Sequence, residues 1–310
     1  MVELGEQSMR RTIPGRDLQL TLRMSVVMFL LTAVGLLFLT FLWAAGVNYA
    51  FLAIFAALGV LIPYFFSDKL VLASMRARTV SPEEAPELHA LVERLAQMAG
   101  VPKPSIAVSD LSIPNAFATG RSPSHAVVCV TTGLLRRLTP QELEGVLAHE
   151  ISHIVNRDMT VITIAQFIPM IASYLTQSLM WMGLWGGGRD RDDRGGNAIV
   201  VVMIVSMLVA FLGNLLVMAL SRYREYSADR TGSLVTGAPS QLATALLKIS
   251  GLIQVIPERD LRQVQHANAF FLIPAAHGNA VLELFSTHPS VQKRVARLQR
   301  LQQEMESGTL

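Results

Sequence analysis

The 310-residue chain contains one cysteine, Cys129. An internal disulfide is therefore excluded, and so is any zinc cluster built on several thiolates. Cys129 lies in the short apolar run Ala126-Val127-Val128-Cys129-Val130, where a buried structural thiol is expected. Charge is also scarce: Asp, Glu, Lys and Arg make up 16% of the chain, against about 25% in soluble domains. Aromatic residues are 7%, and no basic segment is interleaved with them, so nothing points to nucleic acid. The long apolar runs carry no acidic or basic side chain, which argues against a transporter. The first run lacks the small-residue cleavage site of a removable signal peptide and is expected to stay.

Apolar sequence fills the space that charge leaves. The chain is 51% hydrophobic with a mean hydropathy of +0.42. Residues 26–45, 51–66, 159–185 and 198–220 are each of about the length that crosses a hydrocarbon core of roughly 30 Å. The third is diluted by Thr, Gln and Ser and carries Pro169, which should kink a helix. Arg10, Arg11, Arg16 and Arg23 precede the first run, Lys69, Arg76 and Arg78 follow the second, and Arg222 and Arg224 follow the fourth. The bias of Lys and Arg to the cytoplasmic side predicts four spans with both termini cytoplasmic. The net charge of +3 suits that surface. Residues 186–197, rich in glycine with balanced Arg and Asp, are expected to form a flexible far-side loop.

Soluble structure is expected between and after the spans. Ser81-Pro82-Glu83-Glu84 reads as a helix start and Gly100 as its end, with Leu88, Leu91, Val92 and Leu95 on one face. Short strand-like runs at 105–108, 116–119 and 126–131 follow, punctuated by Pro114, Gly120 and Pro123. Thr139-Pro140-Gln141-Glu142 is a second capping box. Further helices are expected over 239–256 and 289–305.

The second capping box starts the helix that carries His149-Glu150-Ile151-Ser152-His153. Residues four apart share a helical face, so both imidazoles can reach one metal ion with Glu150 beside it. A catalytic zinc needs a third protein ligand and an open position. Spacing cannot choose among His89, His125, His266, His277, His288 and the carboxylates, but topology narrows them. The motif runs into a span about six residues past His153, and Glu225 lies about 7.5 Å beyond the end of the fourth span. Both thus lie near one membrane surface, which favours Glu225. Asp229, one turn on, is placed to orient a ligand.

These residues resemble the HtpX-type membrane zinc metalloproteases, relatives of the CAAX prenyl proteases. The matching segments are His149–His153, Arg224-Glu225-Tyr226-Ser227-Ala228-Asp229, Pro114-Asn115-Ala116-Phe117-Ala118-Thr119-Gly120 and Ser286-Thr287-His288-Pro289-Ser290. The resemblance covers nearly the whole chain. It implies one zinc ion per chain held by His149, His153 and Glu225, with Glu150 as base. It implies an edge strand at Asn115 and Ala116 along which substrate lies, and His288 facing the reacting carbonyl.

The expected architecture is α+β and mainly helical, with about four transmembrane helices and a gluzincin-like cytoplasmic metalloprotease domain holding a small sheet. Its parts are residues 1–68 (segment and hairpin), 69–158 (first part of the protease domain), 159–220 (two membrane helices) and 221–310 (second part). The resemblance implies an endopeptidase in the bacterial inner membrane that removes damaged membrane proteins. Protein substrates and the lipid bilayer are its partners. The rivals are a processing peptidase with one substrate and a silent zinc-binding scaffold, against which Glu150 counts, because a structural site has no use for a free carboxylate.

Overall fold

In a computed structural model, residues 17–47, 50, 57, 61, 65, 68–185, 193–254, 272 and 286–309 are described. Helix α1 (Leu18–Ala44) starts at Asp17, whose carboxylate accepts from the Leu20 amide at 3.0 Å. Among the described residues three helices are long and apolar enough to cross a membrane: Leu18–Ala44, Asp158–Trp181 and Ala198–Thr236. The run at 51–66 falls largely outside the described residues. The three helices pack through glycines that admit close approach. A Cβ on Gly35 would meet Ile168 at 2.8 Å, and one on Gly213 would meet Pro169 at 2.6 Å. Phe38, Leu42, Ile171, Ala172 and Val209 fill the space between them. Outside, Phe29 and Leu37 are more than 70% exposed, a cost in water that a lipid surround removes.

The soluble part begins with strand β1 (Ala77–Thr79). The Ser81–Glu84 capping box forms, with the Ser81 amide donating to Glu84 Oε2 at 2.9 Å, but it closes a turn. Helix α2 (Pro86–Ala99) starts later, because Ala85 precedes a proline and takes φ −142°, ψ 63°, outside the helical region. It ends at Gly100, in the left-handed conformation at φ 69°. Strands β2 (Ser105–Ser109), β3 (Ala116–Thr119) and β4 (Val127–Thr131) complete a sheet of order β1-β2-β4-β3, in which only β2 and β4 run parallel. The three short apolar runs thus yield a sheet buried on both faces, with Ile106, Val128 and Val130 in one cluster and Ala107, Phe117 and Cys129 in another, and β3 at one edge.

After the short helix α3 (Thr132–Leu135), the Thr139 capping box starts α4 (Pro140–Val155). Thr139 and Glu142 exchange their hydrogen bonds at 2.8 and 3.3 Å. The chain does not pass straight from α4 into the membrane. Arg157 takes φ 54°, and a new helix, α5 (Asp158–Trp185), begins. Helix α6 (Asp193–Thr236) starts within the stretch read as a loop and continues past the apolar run at 198–220. Helices α7 (Pro239–Gln254) and α8 (Val291–Ser307) cover the core. That core joins Leu95, Ile106, Val128, Leu147, Leu246 and Leu298, so sheet, α2, α4, α7 and α8 share one apolar interior.

Candidate metal centre

Helix α4 supplies the first half of the site. Its capping box fixes the register, and the 3.6-residue period turns His149 and His153 the same way. Helix α6 supplies the second half with Glu225 and Asp229, four residues apart. The two helices touch where a side chain would not fit: a Cβ on Gly232 would lie 2.9 Å from the backbone of Ala148 and His149. Gly145 plays the same part on α4 against Leu242 of α7, where a Cβ would lie 2.9 Å away.

One donor atom from each of His149, His153 and Glu225 lies within 4.8 Å of the other two, so the trio could hold a metal ion. The Nε2 atoms of the two histidines are 3.2 Å apart. Glu225 Oε1 lies 3.5 Å from His153 Nε2, and its Oε2 lies 3.6 Å from His149 Nε2. A tetrahedral zinc with bonds of about 2.1 Å places its donors about 3.4 Å apart, so these separations fit. Glu225 Oε2 is buried with ion-pair neighbours, Arg294 Nη1 at 3.2 Å and His288 Nδ1 at 3.4 Å, but no well-aligned hydrogen bond among the described residues. A cation between the three donors would satisfy it.

Both histidines are oriented from behind by a carboxylate. Asp229 Oδ1 lies 2.9 Å from His149 Nδ1, and Asp158 Oδ2 lies 2.5 Å from His153 Nδ1. A proton held at Nδ1 leaves the Nε2 lone pair facing inward, as a metal ligand requires. Asp229 was legible from its spacing to Glu225. Asp158 was missed, although its place five residues after His153 was a signal; the break at Arg157 turns it back toward the imidazole. Its other oxygen lies 2.9 Å from Arg224 Nε.

Arg294 was also missed. Its side chain is 1% exposed. It donates from Nε to Asp229 Oδ2 at 2.9 Å, from Nη2 to Asp229 Oδ1 at 2.7 Å and from Nη1 to the Leu272 carbonyl at 3.0 Å. Nη1 also lies 3.2 Å from Glu225 Oε2. The available signal was an arginine on the apolar face of α8, among Val291, Val295, Leu298 and Leu301. Burial would lower the His149 pKa, but Asp229 and Glu225 outweigh it and raise it to about 9. Arg294 stays charged because Asp229 and Glu225 compensate its burial.

Glu150 is 4% exposed. Burial pushes its carboxyl above the ordinary range, while His149 and His153 oppose the rise. The Ala118 backbone amide also bonds it, which ties the carboxylate to strand β3. Thr131 N donates to Asn115 O at 3.0 Å, and Ala116 pairs opposite Val130. In an antiparallel ladder alternate residues face the partner, so Ala116 and Ala118 turn their backbone groups away from β4, the Ala118 amide toward Glu150. The Asn115 side-chain oxygen accepts from the Leu272 amide at 2.9 Å, which anchors the entrance to β3.

His288 is 7% exposed, its Nδ1 lies 3.4 Å from Glu225 Oε2, and neither ring nitrogen has a hydrogen-bond partner among the described residues. The Ser286 carbonyl accepts from Arg222 at 2.7 Å, which pins the turn before it. Of the other histidines, His89 bonds the Val80 carbonyl and His125 the nearby serines; His266 and His277 lie outside the described residues. Cys129 is a buried free thiol, and burial, with the Glu150 charge second, raises its pKa to about 12.

Comparison with known proteins agrees with this arrangement. Residues 82–302 match the model of peptidase family M48. "Protease HtpX homolog" of Moorella thermoacetica is 56% identical, over 96% of this chain and 99% of that protein. "Protease HtpX homolog 2" of Methanosarcina acetivorans is 52% identical, over 94% of this chain and 98% of that protein. The crystal structure of S. mikatae Ste24p shares the fold, with a TM-score of 0.52 at 17% identity over 91% of this chain and 67% of that one. With its apolar helices and its His-His-Glu group, the chain belongs to peptidase family M48, among the HtpX-type multi-pass membrane metalloproteases.

Proposed function

We propose that the protein is a zinc-dependent endopeptidase that cleaves damaged or misfolded membrane proteins at the cytoplasmic face of the bacterial inner membrane. The observation that carries this reading is the convergence of His149, His153 and Glu225 beside a buried carboxylate, Glu150, on the C-terminal parts of α4 and α6. Zinc held by these three residues supplies a Lewis acid and lowers the pKa of bound water to about 7. Glu150 receives a proton from the attacking water and passes it to the leaving amine; its raised pKa suits a group that must bind and release that proton. An extended substrate lies along the outer side of β3 near Ala116, with Asn115 holding the start of that strand. The His288 ring, set beside Glu225, donates to the oxyanion that develops on the substrate carbonyl. Asp229 and Asp158 keep the two histidines in the ligating tautomer.

The domain reading rests on the same geometry. Residues 69–158 and 221–310 each contribute half of the site, and residues 159–220 cross the membrane between them; the run at 51–66 completes four spans. The cytoplasmic orientation rests on the Lys and Arg flanking the spans. A membrane-protein substrate follows from the site's nearness to that surface. Incubating purified wild type and Glu150→Gln with an unfolded membrane protein, with and without a zinc chelator, tests the reading. Cleavage by wild type alone, abolished by the chelator, is expected; cleavage by both proteins would overturn it.

A further inference from the structure

A cavity of about 900 Å³ opens between the first turns of α1, the α4–α5 junction and the last part of α6. One wall is apolar, with Leu20, Met24, Met28 and Val161, and the other is polar, with Arg157, Ser227, Arg230 and Thr231. Its two carboxylates are already engaged. Asp17 caps α1 and lies 3.5 Å from Arg297, while Asp158 is shared between His153 and Arg224. The two guanidinium groups are not engaged: neither has an ion pair or side-chain hydrogen bond among the described residues, and Arg230 Nε is buried without a partner. Arg157 is exposed and Arg230 half-buried, so each can still take an anion as partner. Arg230 lies ten residues past Leu220, and its side chain leans toward the helix N-terminus, hence toward the membrane. The cavity therefore combines two spare positive charges with an apolar wall at the start of a membrane helix.

We propose that this cavity binds a phosphate anion, supplied by the headgroup of an anionic phospholipid. Arg157 and Arg230 hold the phosphate, because a planar fork of donors matches its oxygens. Ser227 and Thr231 add hydroxyl donors, and the first acyl carbons lie along Leu20, Met24, Met28 and Val161. A zwitterionic lipid fits less well, because its ammonium cancels the charge that the arginines need. The cavity shares Asp158 with the support of the metal centre, but its test does not depend on proteolysis.

Native mass spectrometry of the full-length protein in detergent, titrated separately with dioleoyl phosphatidylglycerol, dioleoyl phosphatidylcholine and inorganic phosphate, decides it. One phosphatidylglycerol per chain is expected, about tenfold tighter than phosphatidylcholine, and weakened about tenfold or more in R157Q/R230Q. M24W fills the apolar wall but keeps both arginines, so it should weaken phosphatidylglycerol and spare inorganic phosphate. Arginine-dependent binding of inorganic phosphate without phosphatidylglycerol would keep the anion site but make its ligand soluble. Equal phosphatidylglycerol binding by wild type and R157Q/R230Q would overturn the proposal, as would no binding of either anion. Should R157Q/R230Q lose its helical circular dichroism, R230Q and M24W decide: undiminished binding in both overturns it.

Discussion

Single side chains in the metal centre do different work, and substitutions should separate them. Glu150→Gln keeps the shape and removes the base, so metal content should stay unchanged while proteolysis falls by about 10²-fold or more. Arg294 acts through Asp229 on His149. Arg294→Ala should therefore lower metal affinity about 10- to 100-fold, read as zinc retained after dialysis against a weak chelator. Arg294→Lys should recover little, because one ammonium cannot span both Asp229 oxygens as the guanidinium does. At this scale the sequence was legible where chemistry and spacing coincide. His149, Glu150, His153 and the nearby pair Glu225 and Asp229 could be picked out because helical periodicity fixes their faces. Arg294 could not, because its partner is 65 residues away and only tertiary packing brings the two together. Asp158 depended on a left-handed residue, Arg157, that nothing in its own side chain announces.

Elements hold the site by their ends and by close contact. The Thr139 capping box was legible as a pattern, and Thr139→Ala should cost about 1 kcal/mol, measured by denaturation in detergent. The Ser81 box shows where the same pattern misleads, since Pro86 moves the helix start. Glu142 also links α4 to pH. Burial pushes its carboxyl up, but the Thr139 amide and Lys248 pull it down further, to a net value below the ordinary 4.5. A depressed folded value means that its contribution is present above 4.5 and is lost as pH falls through the folded pKa. The stability gap between wild type and Glu142→Gln should therefore shrink as pH falls below about 4.5. Gly232 has no sequence signature, because its reason is the α4 backbone 2.9 Å from where a Cβ would sit. Gly232→Ala should cost about 1–3 kcal/mol and reduce bound zinc, since Glu225 and Asp229 lie on the helix that must shift.

At the scale of the whole molecule, the membrane divides the protease in sequence and reunites it in space. Apolar runs were legible from composition alone, and three of them correspond to helices long enough to cross a bilayer. The continuity of α6 was harder to see: a charge-rich segment ends an apolar run in sequence, but not a helix that tertiary contacts sustain. The proposed orientation rests on flanking arginines; if it holds, alkaline phosphatase fused within residues 186–197 should be active in an enterobacterial host, and fused after Leu310 it should not. The most direct test of the metal-centre account is zinc content and proteolysis measured together on purified wild type and Glu150→Gln. About one zinc per chain in both proteins, with zinc-dependent cleavage only by wild type, is the expected result. Cleavage by the zinc-loaded Glu150→Gln protein at the wild-type rate would contradict it.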